Sequence, residues 1–390
     1  MTALRVLVVH NRYRQRGGED AVAEAEAALL EKHGHAVEFY ERDNRELENM
    51  AALDAAAQAL WSRRTAHEVA QLCERFGADL VHAHNTFALV SPSLYWSALR
   101  AGVPVVQTLH NYRLFCVQGM FRREERICED CLGHLPWRGV VRRCYHGSAA
   151  QSAALASVVT LHRALGTFRD RVTRYIALTE FCRDKFVQGG LPAERIVVKP
   201  NFVDIAAPLP GPRRGALFVG RLSEEKGIAT LLGALALDPM LELETVGDGP
   251  EAAAVAARPA VRARGWLAQA EVLDRMRAAA CLVMPSVWYE CFPRTLVEAY
   301  ACGLPVIASR VGALAELVEH GRTGLLFEPG SAESLAQTLA LARAQPQWMR
   351  EMGANARALY EQRYSPQRNY EQLMAVYADA GAALRTREAA

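Results

Sequence analysis

No apolar run in the chain approaches the roughly 18 residues needed to span a bilayer. The first run, residues 6–9, is also too short for the core of a secretion signal, so a cytoplasmic protein is expected. Neither sign of charge dominates: 45 Lys and Arg against 43 Asp and Glu leave a formal charge of +2, which excludes a global pull toward nucleic acid. The nine cysteines are odd in number and scattered through alternating strand and helix patterns, unlike a secreted disulfide scaffold. What the chain has in quantity is apolar residue, 51% of 390 positions. That exceeds one ordinary core and points to two soluble domains of about 200 residues each.

The most informative stretch is residues 285–309, PSVWYECFPRTLVEAYACGLPVIAS. An apolar run ends at Pro285, a loop follows, a helix opens near Pro293, and Gly303 with Pro305 stops it before the next apolar run. Proline suits the first helical turn, where no intrahelical partner for an N–H exists. The amides of Arg294, Thr295 and Leu296 are then expected to point outward at the positive end of the helix dipole, a ready phosphate site. Glu290 and Glu298 flank that end, eight residues apart. Carboxylates repel a phosphate, so they are expected on the hydroxyls of a sugar or ribose attached to it.

Earlier in the chain, residues 5–10 read as a strand, Gly17 and Gly18 as a turn, and residues 19–33 as a helix. The glycines allow a ligand near the backbone, and Glu19 and Asp20 suit the helix end, although the turn is not G-x-G-x-x-G. Residues 36–40 read as the second strand, 44–76 as helical, and 79–84 (DLVHAH) as a strand with His82, His84 and Asn85 near its carboxyl end. Residues 103–109 form the next strand, ending at His110. Ligands of open parallel sheets bind at such ends.

Periodicity fails over residues 112–147, read as an insertion carrying Cys116, Cys128, Cys131 and Cys144 in the spacing C-x11-C-x2-C-x12-C. Four thiolates so placed suit a tetrahedral structural zinc, which would staple a loop of this length. Reduced thiols, a labile disulfide and an iron–sulfur cluster are the alternatives. Residues 138–174 hold seven arginines and one acid, either a solvated basic face or one suited to an anionic membrane surface.

Residues 207–214 (APLPGPRR) read as the linker. GALFVGRLSEEKG then gives a strand, Arg221, a serine–acid cap, Lys226 and Gly227. Two cations on one loop and helix start can grip a diphosphate and take up the charge that grows as it leaves. A strand over residues 241–246 runs into the turn 247–251, which contains Gly249, and Trp266 follows a further apolar segment.

The E-x7-E pattern at Glu290 and Glu298, with these other motifs in the same order over nearly the whole chain, resembles the retaining glycosyltransferases of family 4 with the GT-B fold. The resemblance implies two doubly wound, Rossmann-like α/β domains facing a central cleft. The expected N-terminal, acceptor-side domain covers 1–205 with the 112–147 insertion. The donor domain covers 206–364, and a helix over 365–390 crosses back to the first domain. Arg221 and Lys226 are then expected on the donor diphosphate, Glu290 on the sugar, Glu298 on the ribose and His110 on the sugar from the facing domain. Gly17 and Gly18 would lie over the phosphates, and Gly249 and Trp266 would border the base. The implied reaction moves a hexosyl group from a UDP- or GDP-linked sugar to a hydroxyl of a polysaccharide or lipid-linked acceptor. It needs no catalytic metal, and the enzyme would be cytoplasmic or peripheral on the inner face of the membrane. A sugar-nucleotide epimerase of the same fold and a zinc-stapled binding protein are the other readings.

Overall fold

A computed structural model describes residues 3–14, 16–124, 126–207 and 211–388. Part of the expected linker, residues 208–210, lies outside the described residues. The chain divides into two compact units, Met1–Phe121 with Glu129–Asn201 and Asn369–Ala390, and Arg122–Cys128 with Phe202–Arg368.

The first unit opens with β1 (Arg5–Arg12), α1 (Gly18–Lys32) and β2 (Ala36–Asp43). Val6 to Val9 are at most 1% exposed, as expected of a strand covered on both faces of a parallel sheet. Two helices follow, α2 (Ala52–Leu60) and α3 (Arg63–Phe76), where the sequence suggested continuous helix. The break falls at Ser62, whose hydroxyl accepts from the amide of Thr65 at 3.1 Å and so starts a new helix.

Next come β3 (Leu80–Ala83), α4 (Ser93–Arg100) and β4 (Val105–Thr108). The insertion is not featureless. It contains a two-stranded hairpin, β5 (Arg122–Arg123) with β6 (Arg126–Ile127), which groups with the second unit, and a short helix, α5 (Trp137–Val141). The remaining elements are α6 (Ala149–Ala164), α7 (Thr167–Asp170), β7 (Arg174–Ala177), α8 (Glu180–Gln188) and β8 (Ile196–Val198). The sheet is wholly parallel in the order β2-β1-β3-β4-β7-β8. Its direction of winding reverses between β1 and β3.

The second unit runs β9 (Ala216–Val219), α9 (Ile228–Leu237), β10 (Leu243–Val246), α10 (Ala252–Ala256), β11 (Val261–Ala263), α11 (Gln269–Ala278), β12 (Cys281–Met284) and α12 (Arg294–Ala301). It ends with β13 (Val306–Ser309), α13 (Gly312–Leu317), β14 (Gly324–Phe327), α14 (Ala332–Ala344) and α15 (Pro346–Arg363). Its sheet is also parallel, in the order β11-β10-β9-β12-β13-β14, and here the winding reverses between β9 and β12. Phe202, Val203 and Ile205 belong to this unit because they are buried in it, with the Tyr360 hydroxyl donating to the Val203 carbonyl at 2.9 Å.

The last helix, α16 (Pro366–Glu388), joins the first unit from Asn369 onward. Asn369 donates to the Pro200 carbonyl at 3.1 Å, and the Tyr370 and Tyr377 hydroxyls lie 2.9 and 2.8 Å from ring nitrogens of His35 and His82.

Candidate active site

In open parallel sheets ligands bind beyond the carboxyl ends of the strands, where the winding reverses. In the second unit that point lies between the loops after β9 and β12. The two loops carry the residues singled out from the sequence. Lys226, half-buried, places Nζ 2.5 Å from Oε1 of buried Glu290. The same oxygen accepts from Ser286 Oγ at 2.8 Å and from the Trp288 indole N–H at 3.2 Å. Arg221 stands exposed at the start of the β9 loop.

Backbone packing fixes these loops. Gly227 has φ +76°, and a Cβ there would lie 1.8 Å from the Pro285 carbonyl oxygen, so the Lys226 turn sits directly on the β12 loop. At Gly249 a Cβ would lie 2.4 Å from the Leu222 carbonyl oxygen. The Leu222 amide donates to the Asp248 carbonyl at 2.9 Å, which ties the β10 turn to the β9 loop. The expected binding residue Gly249 therefore has a packing role of its own. Arg122 on the hairpin pairs with Glu224, two residues before Lys226.

Helix α12 begins at Arg294 with Pro293 as its cap. The Leu296 amide is not free, which corrects the expectation of three outward amides: it donates to the Pro293 carbonyl at 3.0 Å, closing a tight first turn. Arg294 and Thr295 remain as the residues whose amides precede any intrahelical acceptor. Buried Glu298 accepts from Gln269 Nε2 at 2.9 Å, and Arg294 Nε lies 3.1 Å from the same oxygen. Trp266 is 78% exposed, so it is no core residue. A cavity of about 520 Å³ in this unit lies away from all of these groups, beside Ala216 and Cys281 at the opposite ends of the strands.

In the first unit the reversal point gathers His10 from β1, His84 from the end of β3 and His110 from the end of β4. His84 Nδ1 lies 3.0 Å from His110 Nε2, and the rings stack with centroids 5.3 Å apart. Burial pushes the His110 pKa below its usual value against the opposing pull of Glu19 and Glu26, so the ring is neutral near pH 7. A cavity of about 60 Å³ adjoins it, lined in part by Phe87, Asn111 and Arg113.

Gly17 caps α1, and its amide donates to Asp20 Oδ2 at 2.6 Å. His10 Nε2 lies 2.7 Å from Asp20 Oδ1. Burial works to raise the Asp20 pKa, but His10 and the Gly17 amide outweigh it and hold it low. Glu19 accepts from Asn111 Nδ2 at 3.0 Å, which links the glycine turn to the His110 loop. A Cβ at Gly18 would meet open space, and one at Gly17 would come no closer than 3.7 Å to any group.

Among the described residues, the one group of three or more whose metal-ligating atoms lie within 4.8 Å of each other is Glu26, His82 and His84. Cys116, Cys128, Cys131 and Cys144, the expected zinc ligands, are half-buried and in no disulfide. The acids around the C-x-x-C stretch form ion pairs, Glu129 with Lys185 at 2.8 Å and Asp130 with Arg142.

Sequence reasoning missed Ser286, Trp288 and Gln269. The first two lie within four residues of Glu290, a detectable signal. Gln269, 29 positions from Glu298, has none. It also missed Glu26 and Lys199, whose buried pair at 2.6 Å spans 173 positions.

Comparison with known proteins identifies the family and the fold. Residues 16–207 match the family model "Glycosyltransferase Family 4", and residues 213–342 match "Glycosyl transferases group 1". A D-inositol 3-phosphate glycosyltransferase of Arthrobacter sp. is 30% identical over 309 residues, covering 74% of this chain and 68% of the relative. The Gordonia bronchialis protein of the same name is 28% identical over 327 residues; the match covers 73% of this chain but 62% of that relative's length. Among solved structures, Anabaena Alr3699/HepE in complex with UDP superposes with a TM-score of 0.68 at 22% identity, covering 96% of this chain and 100% of the other. The fold is GT-B, and the chain belongs to glycosyltransferase family 4.

Proposed function

We propose that the protein transfers a hexosyl group from a UDP- or GDP-linked sugar to a hydroxyl of a polysaccharide or lipid-linked saccharide, with retention at the anomeric carbon. The observation that carries this reading is the Lys226–Glu290 pair at the reversal point of the second sheet, with Glu298 close by on α12. A cation for a diphosphate and a carboxylate for sugar hydroxyls stand in contact there. Family membership and the UDP held by HepE support the same donor class. The epimerase and binding-protein readings gain nothing from these matches.

In this reading the diphosphate takes Lys226 and Arg221 as partners, and the amides of Arg294 and Thr295 add the positive end of α12. Glu290 turns to the sugar and Glu298 to the ribose. As the bond from the anomeric carbon to the phosphate oxygen breaks, the fixed cations take up the growing charge. The acceptor oxygen bonds to the same carbon on the same face, and its proton passes to a phosphate oxygen. No divalent cation is called for. Gly17 and Gly18, where the chain itself leaves room for a side chain, are assigned to the donor phosphates, and His110 to a sugar hydroxyl.

Among the described residues no helix is long and apolar enough to cross a membrane. A lipid-linked acceptor would instead be met at the membrane's inner face, through the exposed Leu135, Trp137 and Val141 beside Arg138 and Arg143.

The test is a thermal-shift panel of UDP, GDP, ADP and their sugar conjugates on wild type and Lys226→Ala. A ligand at about 100 times its Kd stabilises a fold by roughly 2.7 kcal/mol. One base should shift the wild type and lose its effect in the variant. Silence from all of them, in a folded protein, would overturn the donor assignment.

A further inference from the structure

Behind His110 the first unit buries a charged group that the proposed reaction does not use. Glu26 on α1 is 1% exposed, and Lys199, just after β8, is fully buried. Lys199 Nζ lies 2.6 Å from Glu26 Oε1 and 3.3 Å from the Pro200 carbonyl oxygen. Burial works to raise the Glu26 pKa, but the charge of Lys199 prevails and holds it low, so the carboxylate is ionised. Its other oxygen, Oε2, has no hydrogen-bond partner among the described residues, and neither has His84 Nε2. The two unpartnered atoms face each other at 3.6 Å.

A metal ion is a poor occupant for this place. An ammonium already sits on one carboxylate oxygen. Both ring nitrogens of His82 are engaged, Nδ1 2.8 Å from the Tyr377 hydroxyl and Nε2 2.8 Å from Thr108 Oγ1. The arrangement is better suited to placing protons.

His84 is buried and neutral, so its ring has one N–H. On Nδ1, that proton would leave the Nε2 lone pair aimed at the Glu26 carboxylate 3.6 Å away. On Nε2, it points at the anion. The distance is long for a hydrogen bond, but charge and dipole still choose the second form. His84 Nδ1 is then an acceptor, so the neighbouring His110 Nε2, 3.0 Å away, must donate to it. We infer that Glu26, acting through His84, is the positioning residue that fixes the tautomer of His110, with the proton on Nε2 and a bare lone pair on Nδ1. Resting on the proposed function, this lone pair is the acceptor offered to a hydroxyl of the donor sugar.

The tautomers are read directly from long-range proton–nitrogen NMR spectra of the full chain labelled with ¹⁵N-histidine, assigned with His84→Phe and His110→Phe. Wild type should show Nε2–H at both positions. Glu26→Gln should reverse both: Lys199 keeps the amide oxygen, the NH₂ group turns to His84 Nε2, and the protons move to Nδ1. Glu26→Asp, which retains the charge, should keep the wild-type pattern. Nδ1–H on His110 in wild type overturns the relay even if no variant folds, and so do unchanged tautomers in folded Glu26→Gln. A kinetic arm separates the relay from the reaction. Glu26→Gln should raise KM for the sugar nucleotide about tenfold, the scale of one lost hydrogen bond, while leaving the affinity for the free nucleoside diphosphate unchanged. Reversed tautomers with unchanged KM would uphold the relay and remove His110 from the sugar.

Discussion

The ammonium of Lys226 and the Oε1 atom of Glu290 lie 2.5 Å apart although 64 positions separate them in the chain. The pair joins the loops on either side of the winding reversal. It also sets up a competition, because a diphosphate must draw Lys226 from Glu290. Substitutions at the two positions should therefore act in opposite directions on nucleotide binding. Lys226→Ala removes a charge-assisted contact and should weaken binding of the nucleoside diphosphate by roughly 1.5–3 kcal/mol. Glu290→Gln frees the cation and should leave that affinity unchanged or tighter, while transfer from the sugar nucleotide falls at least tenfold. Calorimetric titration of both variants checks this, and equal weakening by both would show that Glu290 does not compete for Lys226.

Much of this site is legible in the sequence because its parts are local. Arg221 and Lys226 share one turn, and Glu290 and Glu298 flank one helix start, so spacing and the order of apolar runs place them. The parts that were not legible depend on contacts distant in sequence or on backbone detail. Gln269 reaches Glu298 from α11, and Lys199 meets Glu26 from just beyond the last strand of the first sheet. Leu296 has the right position for a free amide, but the first turn of α12 closes on Pro293. The cysteine spacing also gives no sign that Glu129 and Asp130, beside and between the cysteines, are committed to ion pairs with Lys185 and Arg142. Both sheets could be expected from their apolar runs, since strands buried on both faces leave that pattern.

The buried histidines make the first unit sensitive to acid. Burial lowers the His82 pKa to about 4 from its usual 6.5, with Glu26 pulling the other way and too weakly to restore it. His84 and His110 are lowered as well, first by burial. Between pH 6.5 and about 4 the unfolded chain binds a proton at His82 and the folded chain does not, and the lowered His84 and His110 act in the same direction. Stability is therefore fully present above pH 6.5 and falls as the pH drops through that window, by about 3 kcal/mol for His82 alone. The lowered carboxylates Asp20 and Glu26 add their loss only below the ordinary carboxylate range. Protection factors from hydrogen exchange for peptides covering β3 and β4 should fall between pH 7 and pH 5. Constant protection over that interval would mean that the rings are protonated in the folded protein or reach water.

The surface after β6 gives the membrane reading a specific test. Leu135, Trp137 and Val141 are 54%, 59% and 71% exposed within seven residues. Gly139 is buried between them, and a Cβ there would lie 2.5 Å from Val117 Cγ2, so α5 rests on its glycine face and turns Trp137 and Val141 outward. The guanidinium of Arg138 lies 5.6 Å from the centre of the Trp137 ring, and Arg143 is exposed two residues past Val141. Tyr145 packs edge-on against Phe87, which lines the cavity beside His110, so this surface leads toward that cavity. A tryptophan with flanking arginines suits the headgroup region of an anionic bilayer, where each arginine contributes about 1 kcal/mol. The protein should co-sediment with vesicles containing phosphatidylglycerol and not with pure phosphatidylcholine. Arg138→Gln with Arg143→Gln should weaken this by about 2 kcal/mol, and high salt should imitate that loss. Leu135→Ser with Trp137→Ser and Val141→Ser should abolish it while leaving the nucleotide thermal shift intact. Equal partitioning of wild type and the serine variant would remove this surface from any membrane role, and a concentration-dependent dimer lost in that variant would assign it to a second copy of the chain.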